Sequence, residues 1–124
     1  MREIKFRVFI AEFKKMLKLE CIEFKDGKID HIHLEGGMPI ESDEFELMQY
    51  TGLKDKNGVE IYEGDIVKVE KYVTSDGKKY EDDIDTVLFE KSFFLYGNDY
   101  LYNVFKKSEV IGNIYENPEL LEQK

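Results

Sequence analysis

The sequence predicts an all-β protein: a small barrel-type β domain with an additional N-terminal hairpin region and one short C-terminal helix. Three observations predict it. Apolar residues come in short runs broken by charges every few positions, and long helical periods are absent. β-branched and aromatic residues fill those runs, with 9 Phe and 8 Tyr among 124 residues. Turn signals built on Gly, Asp and Asn separate one run from the next.

The elements follow in order. Residues 4–10 alternate Ile4, Phe6, Val8 and Ile10 against Lys5, Arg7 and Phe9, a strand with one mostly apolar face. Lys14-Lys15 reads as a turn. Residues 16–24 and 28–34 read as two strands joined by Lys25-Asp26-Gly27-Lys28, because Asp-Gly supplies the positive φ of a tight hairpin. Gly36-Gly37, Pro39 and the polar stretch Glu41-Ser42-Asp43-Glu44 then interrupt the pattern. A boundary is expected within residues 35–44, and a linker between subdomains 1–40 and 41–124 fits it as well as a plain loop inside one domain. From Phe45 the chain is extended again through Thr51. Asp55-Lys56-Asn57-Gly58 and Ser75-Asp76-Gly77 read as turns, and Ile66-Val67-Lys68-Val69 as a strand between them. Glu81-Asp82-Asp83-Ile84-Asp85 reads as solvated loop or edge strand, since four carboxylates so close resist burial without partners. It lacks the spaced ligands and the glycine of a calcium loop.

Residues 86–105 are the richest stretch. With Lys91-Ser92 as a two-residue turn and Gly97-Asn98-Asp99 as a three-residue one, Phe89 pairs with Phe94, Val87 with Tyr96, Tyr96 with Tyr100 and Phe94 with Tyr102. One face of this meander then carries Val87, Phe89, Phe94, Tyr96, Tyr100 and Tyr102, and the other Leu88, Phe93, Leu95 and Leu101. A sheet with one wet face alternates polar and apolar residues, so two apolar faces imply a cover on each side. The core would cover one, and the N-terminal strands or a second subunit the other. The tyrosine-rich side is the better contact surface, because phenols tolerate a half-wet boundary. Val110-Ile111-Gly112-Asn113-Ile114 reads as a closing strand. Asn117-Pro118-Glu119 opens a short helix, with Asn as cap and Pro at its first position.

Composition excludes several classes. Hydrophobic residues make up 42% of the chain, too many for a disordered protein despite 36% charge. No run approaches the roughly 20 apolar residues of a membrane helix. The start, Met1-Arg2-Glu3-Ile4-Lys5, lacks the apolar core of a signal peptide, so a cytoplasmic location is expected. A net charge of −9 disfavours nucleic-acid backbones and anionic membranes, and permits basic protein partners.

No constellation of residues specifies a reaction. Cys21 is a lone cysteine and reads as a small buried apolar residue. His31 and His33, two apart on a strand, share a face. They would hold zinc only with further ligands, for which Glu20 or Cys21 on the paired strand would serve. The preferred reading is a half-exposed strand face with two polar aromatics. The run from Gln49 to Asp65 has two readings. In one it is an interaction loop displaying Tyr50, Asp55, Lys56 and Tyr62. In the preferred one it is turn chemistry, with Asp55 and Asp65 bonding nearby backbone amides. There is no phosphate-binding glycine loop, nucleophile elbow or metalloprotease helix. No catalytic residue, cofactor or metal is assigned.

Three segments together resemble the YopX family of phages and prophages of Gram-positive bacteria. They are Met1-Arg2-Glu3-Ile4-Lys5-Phe6-Arg7, the run from Leu47 through Thr51-Gly52-Leu53-Lys54-Asp55-Lys56-Asn57-Gly58 to Tyr62-Glu63-Gly64-Asp65-Ile66-Val67, and Val110 through Ile114-Tyr115-Glu116-Asn117-Pro118 to Leu121. The resemblance spans the chain, with residues 15–46 and 70–105 variable in the family. One departure is plain: members usually carry an aromatic-acidic pair, often Trp-Asp, after the early Phe-Arg, whereas this chain reads Val8-Phe9-Ile10 and has no Trp. The resemblance implies an all-β fold and phage or prophage origin, and no activity, cofactor or catalytic residues. The Gly64–Val69 strand, the meander and the closing strand also read like a small SH3-like barrel.

The function expected is a non-enzymatic protein-interaction module that binds a host or phage protein or itself. Its candidate surface is Tyr50, Asp55, Lys56, Tyr62, Tyr96, Tyr100 and Tyr102. The alternative is a nucleic-acid-binding small β-barrel, using Lys68, Lys71, Lys78, Lys79, Lys106 and Lys107 with stacking aromatics.

Overall fold

Alternating runs and frequent turns give two antiparallel sheets, so the all-β class holds. The computed structural model describes residues 3–37, 39–41, 45–70, 77, 82–90, 93–97 and 99–122. The chain divides into two units, Met1–Tyr50 and Thr51–Lys124. The division falls inside a strand, between Tyr50 and Thr51.

The first unit is built around β1 (Phe6–Ile10), which pairs with β2 (Lys15–Lys25) on one side and β5 (Glu46–Lys54) on the other. β3 (Lys28–Leu34) and β4 (Pro39–Glu41) extend the sheet beyond β2. The β2–β3 hairpin forms as the Asp-Gly pair predicts: Asp26 and Gly27 sit at φ 54° and 79°, the left-handed conformation a two-residue turn demands. Val8, Ile10, Ile32, Leu34 and Ile40 make the core, flanked by Leu17, Leu19 and Ile22. Ile4, expected on the same apolar face, precedes the strand and is exposed.

Leu17 and Leu19 are two apart, but Ile22 breaks that parity. One extra residue between Leu19 and Cys21 allows it: Leu19 opposes Leu34, Cys21 opposes His33, and Ile22 opposes Ile32. A bulge of this kind sends the side chains beyond it to the opposite faces. Cys21 is consequently exposed rather than buried.

The second unit holds β6 (Glu60–Tyr62), β7 (Asp65–Val69), β8 (Asp83–Glu90), β9 (Phe93–Tyr96), β10 (Asp99–Tyr100) and β11 (Ser108–Asn113). Its five-stranded sheet runs β10-β9-β8-β7-β11. At the bend between β6 and β7, Gly64 has φ 87°, its N–H donates to Val87 O at 2.7 Å, and its carbonyl accepts from Ile114 N–H at 2.9 Å. Ile61, Val67, Val69, Val87, Tyr96 and Leu101 form the core. Among the described residues, 83–86 pair with β7 alone, which puts this part of the acidic stretch along an edge. Glu81 and most of the Ser75-Asp76-Gly77 turn lie outside the described residues.

The meander departs from expectation at its second turn. Phe89 opposes Phe94 and Val87 opposes Tyr96, as the sequence predicts. But Asp99 opposes Tyr96 and Tyr100 opposes Leu95, so the connection holds two residues, not three. Strand structure also stops at Tyr100. A single helical turn, α1 (Leu101–Val104), and a 3-10 turn, Phe105–Lys107, replace the expected third strand. Leu101, fully buried, docks α1 on the core.

At the C-terminus Pro118–Leu121 is a single 3-10 turn. Asn117 does not cap it. Its side-chain oxygen instead accepts from Asn113 N–H at 3.2 Å. The sheet margins are short or irregular: β4 and β6 have three residues each, β10 has two, and β11 shifts register between Val110 and Gly112. No helix among the described residues is long and apolar enough to cross a membrane.

Candidate functional site

The run from Gln49 to Asp65 is organised from its carboxylates. Asp55 Oδ1 accepts from the N–H groups of Asn57 and Val59, both at 2.9 Å. Its Oδ2 accepts from Val110 N–H on β11 at 2.9 Å. Asp65 Oδ2 accepts from Tyr62 N–H at 2.8 Å. A short side-chain acceptor beside a tight turn satisfies amides that the ladder cannot reach. This is the turn chemistry the sequence favours, and it removes Asp55 from display.

Four candidate surface residues are therefore withdrawn from the surface: Tyr50, Asp55, Tyr62 and Tyr96 are all buried. The Tyr50 ring lies 5.5 Å below Lys5 Nζ. Lys56 is exposed, but it bonds Glu70 and stands 3.7 Å from Glu109. That pairing raises the Lys56 pKa, chiefly through the Glu70 hydrogen bond, and lowers that of Glu70. Tyr100 and Tyr102 remain exposed, at 50% and 74%.

Those two tyrosines do not share a face with Tyr96. The two-residue turn places Tyr100 with Leu95 and Leu88, on the side that also carries Phe93. The Phe93 and Tyr100 rings meet at 5.1 Å. Leu88, Phe93 and Tyr100 are each roughly half exposed. Tyr102 projects from α1 and touches the Phe105 ring at 5.8 Å. The opposite side carries Val87, Tyr96 and Phe94 into the core. Sequence reasoning placed Leu88, Phe93 and Leu95 together but assigned the contact role to the other side. The signal that separates them is Gly97-Asn98, which suits a two-residue hairpin as well as the longer turn.

An open cleft of about 430 Å³ lies between β7, β8, β9 and α1. Asp83, Asp85, Asp99, Tyr96 and Gly97 are among its lining residues. Burial pushes the Tyr96 phenol well above its ordinary pKa, and the charges of Asp83 and Asp85 push it further. The lining suits a cation better than an anion. Two of the lysines named for nucleic-acid contact have partners among the described residues. Lys68 stands 3.8 Å from Asp82, and Lys106 lies over the Phe105 ring at 5.9 Å. Lys71, Lys78 and Lys79 lie outside the described residues.

His31 and His33 are half-buried on one face of β3, with Nε2 atoms 3.1 Å apart. Glu20, proposed as their neighbour, falls at the bulge and opposes neither.

Comparison with known proteins agrees with this architecture. Protein EF1440 from Enterococcus faecalis superposes with a TM-score of 0.75 at 27% identity, covering 98% of this chain and 99% of that one. The yopX protein from Bacillus subtilis gives a TM-score of 0.60 over 97% and 98% of the two chains; at 21% identity this likeness shows the fold alone. No curated protein matches. A family model described as YopX protein matches residues 5–122, and the chain belongs to the YopX family.

Proposed function

We propose that the chain is a non-enzymatic protein-interaction module, phage or prophage encoded and cytoplasmic, and that its partner is a second copy of itself. The observation that carries this reading is the outer side of β8–β10, where Leu88, Phe93, Leu95 and Tyr100 form an apolar face. Apolar sheet faces are ordinarily covered. Within the described part of the face, Glu90 is the one formal charge, opposite Phe93. Two copies can therefore meet there about a two-fold axis without stacking acid on acid, although the chain as a whole carries −9. Homodimer contacts favour such apolar, aromatic centres.

Sedimentation equilibrium tests this on the intact chain. The wild-type protein is expected to dimerise reversibly, and the double variant Phe93→Ser, Tyr100→Ser to weaken the dimer at least tenfold. Tyr102→Ser, off this face, should leave it unchanged. Circular dichroism checks that each variant is folded. A wild-type monomer at all concentrations, or a dimer indifferent to the double change, overturns the proposal.

A further inference from the structure

The bulge in β2 does more than expose a thiol. It brings Cys21 opposite His33 and Glu23 opposite His31. Without the extra residue, continuing the Leu19–Leu34 register would set Glu20 against His33 and Ile22 against His31. Each strand thus contributes two residues, two apart, to one face of the hairpin. One donor atom from each of Cys21, Glu23 and His33 lies within 4.8 Å of the other two. His31 stands outside that trio, but its Nε2 lies 3.1 Å from His33 Nε2. Two imidazole nitrogens bound to one tetrahedral zinc stand about 3.4 Å apart, given Zn–N bonds near 2.0–2.1 Å.

A neighbouring carboxylate sets the tautomer. Asp30 Oδ2 is 2.8 Å from His31 Nδ1, so Nδ1 carries the proton and donates it to Asp30. The lone pair of His31 then resides on Nε2, facing His33. This carboxylate–imidazole relay is how metal-binding histidines are oriented.

We propose that Cys21, Glu23 and His33 form the core of a site for zinc or a similar divalent transition metal, that His31 completes it as fourth ligand by a shift of its ring toward the trio, and that Asp30 is the positioning residue for His31. Thiolate and imidazole ligands favour zinc over magnesium or calcium. Four protein ligands close the coordination sphere, which marks a structural site that staples β2 to β3 rather than a catalytic one. On binding, the Cys21 thiol loses its proton to the buffer and the sulfur bonds the metal as thiolate. The site belongs to the first unit and the outer face of β8–β10 to the second, and metal binding does not depend on dimerisation.

Cobalt(II) titration of tag-free, reduced, metal-stripped protein tests the site. One equivalent should give a thiolate-to-cobalt charge-transfer band together with the intense visible bands of tetrahedral cobalt, and zinc should displace it. Cys21→Ser should remove the charge-transfer band, and His33→Ala should weaken binding at least about 100-fold. Asp30→Ala should weaken it about tenfold, the scale seen for partners that orient metal ligands. Cys21, Glu23 and Asp30 are exposed and the histidines half-buried, so the fold should survive each change, as circular dichroism will verify. Failure to bind one equivalent, the pale spectrum of six-coordinate cobalt, or an unchanged spectrum in Cys21→Ser would overturn the proposal.

Discussion

Asp55 fastens a local turn to a strand 55 residues further along the chain. Its bonds to Asn57 and Val59 follow from the turn motif and are legible in the sequence. The bond to Val110 is not, because it depends on where β11 arrives. Hydrogen bonds to a charged group contribute about 1.5–3 kcal/mol each. Asp55→Ala leaves three amides without their acceptor and should destabilise the protein by about 3 kcal/mol or more, measured by urea unfolding. Tyr96 makes a different prediction. Burial, reinforced by Asp83 and Asp85, holds its proton in the folded state above the usual value near 10. The unfolded phenol ionises first, so above about pH 10 the unfolded state binds fewer protons than the folded one. The stability tied to this group is complete below that pH and declines as pH rises beyond it. Tyr96→Phe should flatten that decline relative to wild type in pH-dependent unfolding. Its burial was hidden from sequence reasoning, since a tyrosine in a two-faced apolar strand fits either side.

At the scale of elements, strands and hairpins with strong turn chemistry were readable, and registers were not. Asp26-Gly27 fixes one hairpin on its own. The β2 bulge leaves only a parity change from Leu19 to Ile22, a faint mark beside the expectation of regular alternation. The Gly97-Asn98 connection differs by one residue from the longer turn, and that residue moves Tyr100 to the other side of the sheet. Leu101 belongs to the same lesson: continuation of the strand was plausible locally, but the core of the second unit takes the side chain from a helical turn. The closing strand offers a test. A Cβ at Gly112 would lie 2.6–2.9 Å from the side chain of Asn117, which holds the Asn113 amide. Gly112→Ala should therefore cost about 1–3 kcal/mol, the usual range for overpacking. Chemical denaturation would measure it, and adding Asn117→Gly should recover part of the loss.

At the scale of the whole molecule, the family was legible because its segments recur in order along the chain, and it brought the all-β class with it. The proposed contact face was only half legible. Its apolar residues were visible, but the side they share depends on a turn length. Charge matters here as well. With −9 on each copy, self-association works against repulsion that salt screens within about 10 Å at 0.1 M. The dimer should therefore tighten as ionic strength rises, in contrast to a contact held by opposite charges, and sedimentation at two salt concentrations reads the difference.

The brevity of the outer strands has a consequence for how far assembly can go. An incoming strand needs a long row of free backbone donors and acceptors to extend a ladder, and two- or three-residue margins, a proline at the head of β4 and the kink in β11 deny it one. A dimer of the kind proposed would therefore close on itself as a face-to-face pair, with little described strand edge for open-ended stacking of the sort that leads to fibrils.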